Sequence, residues 1–256
     1  MAQHVDTALR QEFEKALAAR TSPSYWRRVA HLQQLGTREI LDYAATALGS
    51  RNAKRRQLGA DVLGQLGYQE SVPPFKRESA LALKALLKVE RNSSVLAAVA
   101  MALARLRVRS AIPLLLPLAK HRSQEVRSAL AAELPWCTWD SGEERPDRRV
   151  TATLIDLSRD PSAEVRDWAC FSLASIAEDS PDIRAALWDR IRDRHYDTRI
   201  EALRGLALRR DARVRGPLRD AVRAIGANRL GTWVIDDLLD YAKWSRDRQL
   251  IKGLQS

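Results

Sequence analysis

Apolar residues recur along this 256-residue chain at the spacing of amphipathic helices. In residues 165–177 the apolar positions include Val165, Trp168, Ala169 and Leu173. These positions follow the i, i+3, i+4 rule of a helix that buries one face. Alternating runs of Val, Ile and Thr and Asn-Gly hairpin turns are absent from the sequence, so strand signals are almost lacking. The pattern predicts an all-α fold.

The helical segments repeat along the chain. Five of them align at their first residue and share a leucine eight positions later, namely Leu63, Leu103, Leu134, Leu173 and Leu206. A weaker copy precedes them, with Leu32 in the same position, and successive copies are 31, 40, 31, 39 and 33 residues apart. A second helix is predicted after each first helix, over residues 38–48, 74–89, 111–120, 148–158, 182–194 and 212–225.

Two helices every 31 to 40 residues are typical of an α-solenoid, because a single helix pair cannot bury its apolar face and must stack on neighbours. The sequence predicts a superhelix of about six helix pairs over residues 24–225. Residues 1–22 and 230–256 are expected to form N-terminal and C-terminal capping helices. No Gly/Ser/Pro-rich linker interrupts the chain, so a single domain over residues 1–256 is expected.

One repeat, DPSAEVRDWACFSLASIA, carries the pattern VRxxAxxxL with Asp-Pro ahead of it. This pattern resembles HEAT repeats of the phycobilisome-lyase-like type over roughly residues 24–225. The resemblance implies an interaction scaffold and a structural ladder, in which the arginine after a repeat's first position pairs with an acidic residue near the preceding turn. The candidate ladder residues are Arg56, Arg127, Arg166, Arg199, Asp160 and Asp193. The matching acidic positions of other repeats hold Ser50, Glu90 and His121, so an incomplete ladder is expected.

The chain is strongly basic, with 43 Lys and Arg against 32 Asp and Glu and a formal net charge of +11. Residues 184–223 contain 12 Arg and six Asp or Glu, and a smaller basic cluster comprises Arg105, Arg107, Arg109, Lys120 and Arg122. Second helices typically line the concave face of a solenoid. That face is therefore predicted to bind an acidic partner, with a protein favoured and duplex DNA as the alternative.

The arginines predicted to contact this partner are Arg148, Arg149, Arg184, Arg192 and Arg219, which the sequence places in the second helices. The competing interpretation is that these arginines are solvated and paired with nearby carboxylates.

A long segment interrupts the fourth helix pair. Residues 135–149, PWCTWDSGEERPDRR, exceed the usual length of a loop between paired helices. Loops on a rigid scaffold often carry function, so Trp136, Trp139 and Arg145 are also predicted to contact the partner. The competing interpretation packs both tryptophans into neighbouring repeats, because exposed tryptophan is unusual.

Catalytic signals are weak. Some HEAT-like-repeat proteins are alkylpurine DNA glycosylases that use Trp and Asp side chains near the damaged nucleotide. That similarity makes Asp140 a catalytic candidate under the DNA-binding alternative, with Trp136, Trp139 and Trp168 as its aromatic partners. The sequence has no GxSxG motif, Walker loop or HExxH motif, so a non-enzymatic role without metal or cofactor is favoured.

The expected location is the cytoplasm. The two cysteines form no CxxC motif, and no apolar run approaches the length of a membrane span. The N-terminal stretch contains acidic residues and no apolar block, which is unlike a secretory signal.

Overall fold

The computed structural model describes residues 2–19, 21–70, 73–140, 143–144 and 146–255. The chain divides into two compact units, unit 1 over residues 1–145 and unit 2 over residues 146–256. The division falls inside the interrupting segment 135–149. Within the described residues, extended structure is confined to one antiparallel pair of two-residue strands, β1 (Trp139–Asp140) and β2 (Glu143–Glu144).

Unit 1 is built from stacked helix pairs. Its described helices are α1 (Ala2–Leu17), α2 (Ser22–Leu35), α3 (Arg38–Leu48), α4 (Ala53–Leu63), α5 (Lys76–Val89), α6 (Ser93–Arg105), α7 (Ile112–Leu115) and α8 (Gln124–Glu133). The first helices α2, α4, α6 and α8 each pack on the next, and so do the second helices α3, α5 and α7. Short 3-10 segments lie at Arg109–Ala111, Leu116–Lys120 and Leu134–Thr138.

Unit 2 is also built from stacked helix pairs. Its helices are α9 (Arg148–Leu157), α10 (Ala163–Ser175), α11 (Pro181–Arg190), α12 (Tyr196–Leu208), α13 (Arg215–Ile225), α14 (Thr232–Trp244) and α15 (Arg248–Leu254). The first helices α10, α12 and α14 pack in that order to form one layer. The second helices pack as the pairs α9 with α11 and α13 with α15.

The leucine shared by the repeats forms the core. Each of its six copies is buried: Leu32, Leu63, Leu103, Leu134, Leu173 and Leu206. Small residues let first helices approach closely, since a Cβ added at Gly64, directly after α4, would lie 2.9 Å from the Cα of Ala102 in α6. The prediction of an all-α solenoid of helix pairs is confirmed.

The second helix of the third pair differs from the prediction. A continuous helix was expected over residues 111–120, but α7 covers only Ile112–Leu115, and a 3-10 segment follows at Leu116–Lys120. Pro113 is accommodated in the first turn of α7, whereas Pro117 has no N–H group and its ring clashes with the carbonyl four residues earlier. The α-helix therefore cannot continue through Pro117.

The C-terminal region also differs, because the single capping helix expected over residues 230–256 is two helices, α14 and α15. Helix α14 packs on α12 in the way that α12 packs on α10. The turn after α14 has a positive φ of 54° at Arg246, and the Asp247 side chain accepts a 3.0 Å hydrogen bond from the Leu250 N–H. These helices therefore form a further helix pair.

Candidate functional site

Two of the ladder arginines, Arg56 and Arg166, bind carboxylates of the following repeat, which corrects the direction implied by the family resemblance. Arg56 Nε lies 2.6 Å from Glu90, and Arg166 Nε lies 2.8 Å from Asp193. The resemblance implied that Arg166 would pair with Asp160 in the preceding turn. Asp193, which lies 27 residues after Arg166, is instead its carboxylate partner. Each of these two ion pairs joins successive repeats.

The preceding turn is bound through its backbone carbonyl groups. Arg166 Nη1 donates to the carbonyl oxygens of Asp160 at 2.9 Å and Pro161 at 3.1 Å. Arg56, Arg127 and Arg199 donate to the carbonyl pairs Ser50/Arg51, His121/Arg122 and Asp193/Arg194 in the same way. The guanidinium groups are therefore occupied by contacts within the fold.

Electrostatics agrees with a structural role for the ladder carboxylates. Burial alone would raise the pKa of Asp193, but hydrogen bonds from Arg166 and from the His195 N–H lower it below its ordinary value. The carboxylate stays charged and bound in the folded protein, as expected for a paired buried acid.

Three arginines predicted to contact a partner are ion-paired inside unit 2. Arg184 lies 2.7 Å from Asp179, and Arg149 lies 2.8 Å from Asp147. Arg219 of α13 lies 2.7 Å from the fully buried carboxylate of Asp247, which joins α13 to the start of α15. This arrangement resembles the competing interpretation, in which the arginines are paired with nearby carboxylates.

Two further arginines predicted to contact a partner are not ion-paired within the described part of the chain. Arg148 and Arg192 are exposed, and the described residues provide neither of them with an ion pair. Arg192 was expected within a second helix, but α11 ends at Arg190 and Arg192 lies in the following turn. Arg145 and the side chain of Asp140 lie outside the described residues.

Charge in unit 2 is separated between its helices. The second helices α9, α11, α13 and α15 carry nine Lys or Arg and four Asp or Glu. The first helices α10, α12 and α14 carry four Lys or Arg and seven Asp or Glu. One set of helices is therefore basic and the other acidic.

The tryptophans of the interrupting segment form an aromatic pair in unit 1. The ring centroids of Trp136 and Trp139 are 6.2 Å apart, and the Arg107 guanidinium lies 5.8 Å from each centroid. Trp136 keeps 43% of its surface exposed, so it is not tucked into a neighbouring repeat as the competing interpretation required. Cation–π contact with Arg107 holds the exposed ring in place.

An open groove of about 560 Å³ lies beside this aromatic pair and contains Arg107 in its lining. Its other charged residues are Lys76, Arg77, Glu78, Lys84 and Arg109. The groove therefore has five cations and one carboxylate. We call it the basic groove.

The basic groove combines charge with an apolar surface. The Glu78 carboxylate is paired with Arg38 at 3.3 Å, and Leu81 keeps 57% of its surface exposed in the lining. The charge cluster in the sequence included Arg107 but missed the residues from α5. Lys76 and Lys84 lie eight residues apart on α5, and both line the groove.

Neither cysteine is suited to nucleophilic chemistry. Cys137 and Cys170 are buried free thiols. Burial, with a smaller contribution from Glu133, raises the pKa of Cys137 to about 12, and burial also raises that of Cys170. Thiolate is therefore scarce at neutral pH.

The His, Cys, Asp and Glu side chains of the described residues include no group of three or more that could hold a metal ion. None of the described helices combines the length and the apolar character that crossing a membrane requires.

Comparison with known proteins gives matches in sequence and structure. The profile of the family described as HEAT repeats matches residues 151–230. Protein YibA of Escherichia coli K12 is 32% identical over 110 residues, which cover 43% of this chain and 37% of YibA. The matched segment thus spans little more than a third of that relative.

Solved structures share the fold at low sequence identity. The X-ray structure of YibA superposes with a TM-score of 0.66 at 22% identity, covering 99% of this chain and 96% of YibA. The CpcE–CpcF complex of phycocyanin lyase from Nostoc sp. PCC7120 gives a TM-score of 0.47 at 19% identity, covering 97% of this chain and 82% of the matched one. The YibA superposition shows a common fold.

Proposed function

We propose that this chain, whose residues 151–230 match the HEAT-repeat family, is a non-enzymatic scaffold that binds an acidic surface of a partner protein. The helix-pair fold is typical of proteins that present extended binding surfaces. Because a fold does not determine an activity, the proposal depends on the chemistry of the surfaces themselves.

The basic groove is the observation that carries this proposal. Lys76 and Arg77 have no ion-pair partner among the described residues, so their charges are available to a ligand. Exposed Leu81 in the lining and exposed Trp136 beside the groove add apolar contact area. Tryptophan and arginine are the residues that most often dominate binding energy at protein interfaces. This combination favours an acidic peptide segment over a uniformly charged phosphate backbone.

The second helices of unit 2 support the same partner chemistry. Arg248 and Lys252 are exposed, four residues apart on α15, and have no ion-pair partner among the described residues. Such spacing places them on one side of the helix. We include exposed Arg148 at the start of α9 in this second basic surface.

The test uses fluorescence anisotropy with a labelled peptide of alternating Glu and Ser residues. The Lys76→Glu/Arg77→Glu variant is expected to weaken binding about tenfold, the equivalent of about 1.4 kcal/mol. Acidic residues in the first turn of α5 also favour the helix dipole, so the variant is expected to fold. A parallel Arg148→Glu variant tests the contribution of unit 2.

The matched control is Lys120→Glu/Arg122→Glu, which makes the same change in net charge at exposed residues outside the basic groove. Equal binding by the groove variant and this control would contradict the proposal. A labelled 20-base-pair DNA duplex at about 50 mM salt is measured in parallel, because phosphate contacts are strongest at low salt. Tighter binding to DNA than to the acidic peptide would favour the nucleic-acid alternative.

A further inference from the structure

A second open groove, of about 760 Å³, lies on the first helices of unit 2 and is independent of the basic groove. Its aromatic lining consists of Trp168 and Phe171 from α10 and Trp233 from α14. Trp168 is 39% exposed and Trp233 is 45% exposed. Large exposed rings on two separate helices give this surface the composition of a binding site.

Phe171 holds the two tryptophans in a fixed arrangement. Its ring centroid lies 5.6 Å from that of Trp168 and 5.6 Å from that of Trp233, with interplanar angles of 83° and 85°. Edge-to-face contacts of this kind are favourable. The aromatic wall is therefore positioned before any ligand arrives.

Carboxylates dominate the charged lining of this groove. Asp167, Asp197, Glu201 and Asp237 accompany a single cation, Arg204. Arg204 is already bound, with Nε 2.6 Å from Asp237 and Nη1 3.0 Å from Glu201. Its guanidinium also lies 4.5 Å from the Trp233 ring centroid. We call the whole site the acidic aromatic groove.

The other two carboxylates, Asp167 and Asp197, can accept further hydrogen bonds. Asp167 Oδ1 is buried and accepts no hydrogen bond from the described residues. The side chain of Asp197 is 61% exposed, and His195 Nε2 lies 3.8 Å away from it. Burial, followed by repulsion from Asp197, raises the pKa of Asp167 to about 6. A buried acceptor without a donor is costly, so a cationic donor at this position would be stabilising.

The groove already contains one example of the complex that it can form. Arg204 lies on Trp233 and binds two carboxylates. Trp168 offers the same kind of aromatic face beside Asp167, and no guanidinium of the described residues lies over the Trp168 ring. The Trp168 side of the groove therefore has an aromatic ring and carboxylates, as the Trp233 side does, but no guanidinium of the described residues lies on its ring.

We propose that the acidic aromatic groove binds an arginine side chain from a basic peptide segment of a partner protein. The guanidinium lies on Trp168 and donates hydrogen bonds to Asp167 and Asp197. Arginine suits the site better than lysine because its planar group stacks on aromatic rings and donates two parallel hydrogen bonds to carboxylates.

The experiment measures anisotropy of labelled peptides at pH 8, where the lining carboxylates are ionised. The peptides alternate Arg with Ser or Lys with Ser. The wild-type protein is expected to bind the arginine peptide several-fold more tightly than the lysine peptide. Asp197→Asn and Trp168→Leu are each expected to weaken binding of the arginine peptide about tenfold, because each removes a charged or stacking contact.

Matched controls are Asp236→Asn and Trp244→Leu, which change exposed residues of the same types on α14 outside the groove. Circular dichroism checks whether each variant retains its helices. Unchanged binding of the arginine peptide to Asp197→Asn and Trp168→Leu would overturn the proposal, and so would a lack of binding to the wild type. Equal affinity for the two peptides would overturn the choice of arginine.

A failure of this proposal can be distinguished from a failure of the proposal for the basic groove. The Lys76→Glu/Arg77→Glu variant is expected to leave the arginine peptide's affinity unchanged, since those residues lie in unit 1. A parallel loss of arginine-peptide binding in that variant would contradict assignment to the acidic aromatic groove.

Discussion

Asp61 is a buried acid whose environment favours its protonated form. It lies in α4 and accepts a 2.6 Å hydrogen bond from the Tyr25 hydroxyl of α2. Burial raises the pKa of Asp61 to about 6, although the Tyr25 hydrogen bond and the charge of Arg105 act in the opposite direction. The charged carboxylate therefore opposes folding at neutral pH.

The pH dependence of stability follows from this shift. Unfolded Asp61 releases its proton near pH 4, whereas the folded protein retains the proton up to about pH 6. The free energy of unfolding should therefore fall as pH rises from about 4 to 6. Asp61→Asn retains an oxygen acceptor for Tyr25 and should be more stable than wild type at pH 7 by about 1–3 kcal/mol.

Urea unfolding between pH 4.5 and 7 measures this effect. The difference in stability between Asp61→Asn and wild type should grow with pH across that range. Asp42→Asn on α3 is the control, because its side chain is largely exposed. A pH-independent difference for Asp61→Asn would show that the buried carboxylate does not titrate in this way.

The ladder pair Arg166–Asp193 gives a second residue-scale prediction. Arg166→Leu removes the closer of two guanidinium groups from the buried Asp193 carboxylate and leaves Arg190 at 3.3 Å, so it should lower the free energy of unfolding by about 1.5–3 kcal/mol. Adding Asp193→His should recover part of that loss, because it removes a buried charge that has lost its main partner. Another repeat has this uncharged combination, with Leu96 at the arginine position and His121 at the acidic position.

Chemical denaturation of the two single variants and the double variant completes a double-mutant cycle. The expected coupling makes the double variant more stable than Arg166→Leu alone. Additive losses would mean that Arg166 and Asp193 contribute independently, which their 2.8 Å contact argues against.

The sequence could predict the ladder positions but not the pairing. An acidic residue five positions before a repeat can meet its own arginine or that of the preceding repeat, and spacing alone does not distinguish them. The residues at matching repeat positions nevertheless indicate the pairing. Arg56 is matched by Glu90 in the following repeat, whereas Leu96 is matched by His121. The arginine and the acid are both present or both absent only when each acid is paired with the arginine position of the preceding repeat.

Three helix ends share an arginine in the left-handed region of the backbone. Arg107, Arg210 and Arg246 have φ values of 53°, 54° and 54°, and they follow α6, α12 and α14 respectively. In each case the next residue's N–H bonds to a carbonyl five residues earlier, as from Asp247 to Ala242 at 2.8 Å. This Schellman-type ending usually has glycine at the left-handed position.

Arg246→Gly should therefore stabilise the protein by about 0.5–1 kcal/mol, because glycine adopts positive φ without steric cost. The matched variant Arg246→Ala removes the same side chain but keeps the Cβ, so it should give no such gain. Thermal unfolding measures the difference, with an expected rise in Tm of about 1–4 °C for the glycine variant. Equal Tm values for the glycine and alanine variants would contradict backbone strain at this position.

At the scale of elements, the sequence predicted most helices because apolar periodicity reports directly on burial. The prediction failed at two places where backbone chemistry ends a helix. The break between α14 and α15 lies at Arg246, where a glycine would have marked the turn. The shortened α7 was missed although Pro117 gave the signal.

At the scale of the molecule, net charge proved a coarse guide. The sequence located an arginine-rich region, but several of its members are consumed by internal ion pairs, as Arg184 and Arg219 are. The two proposed grooves depend on residues that are distant in sequence. Trp168 and Trp233 meet across Phe171, and apolar periodicity alone favoured packing for Trp168 rather than its exposed position.

Separation of charge between the helices of unit 2 has a practical consequence for orientation. A body with a basic side and an acidic side behaves as an electric dipole, and near a charged support it turns its opposite charge toward that support. On a negatively charged sensor or resin, unit 2 should adsorb through its basic second helices. Trp168 and Trp233 belong to the other layer and would face the bulk liquid.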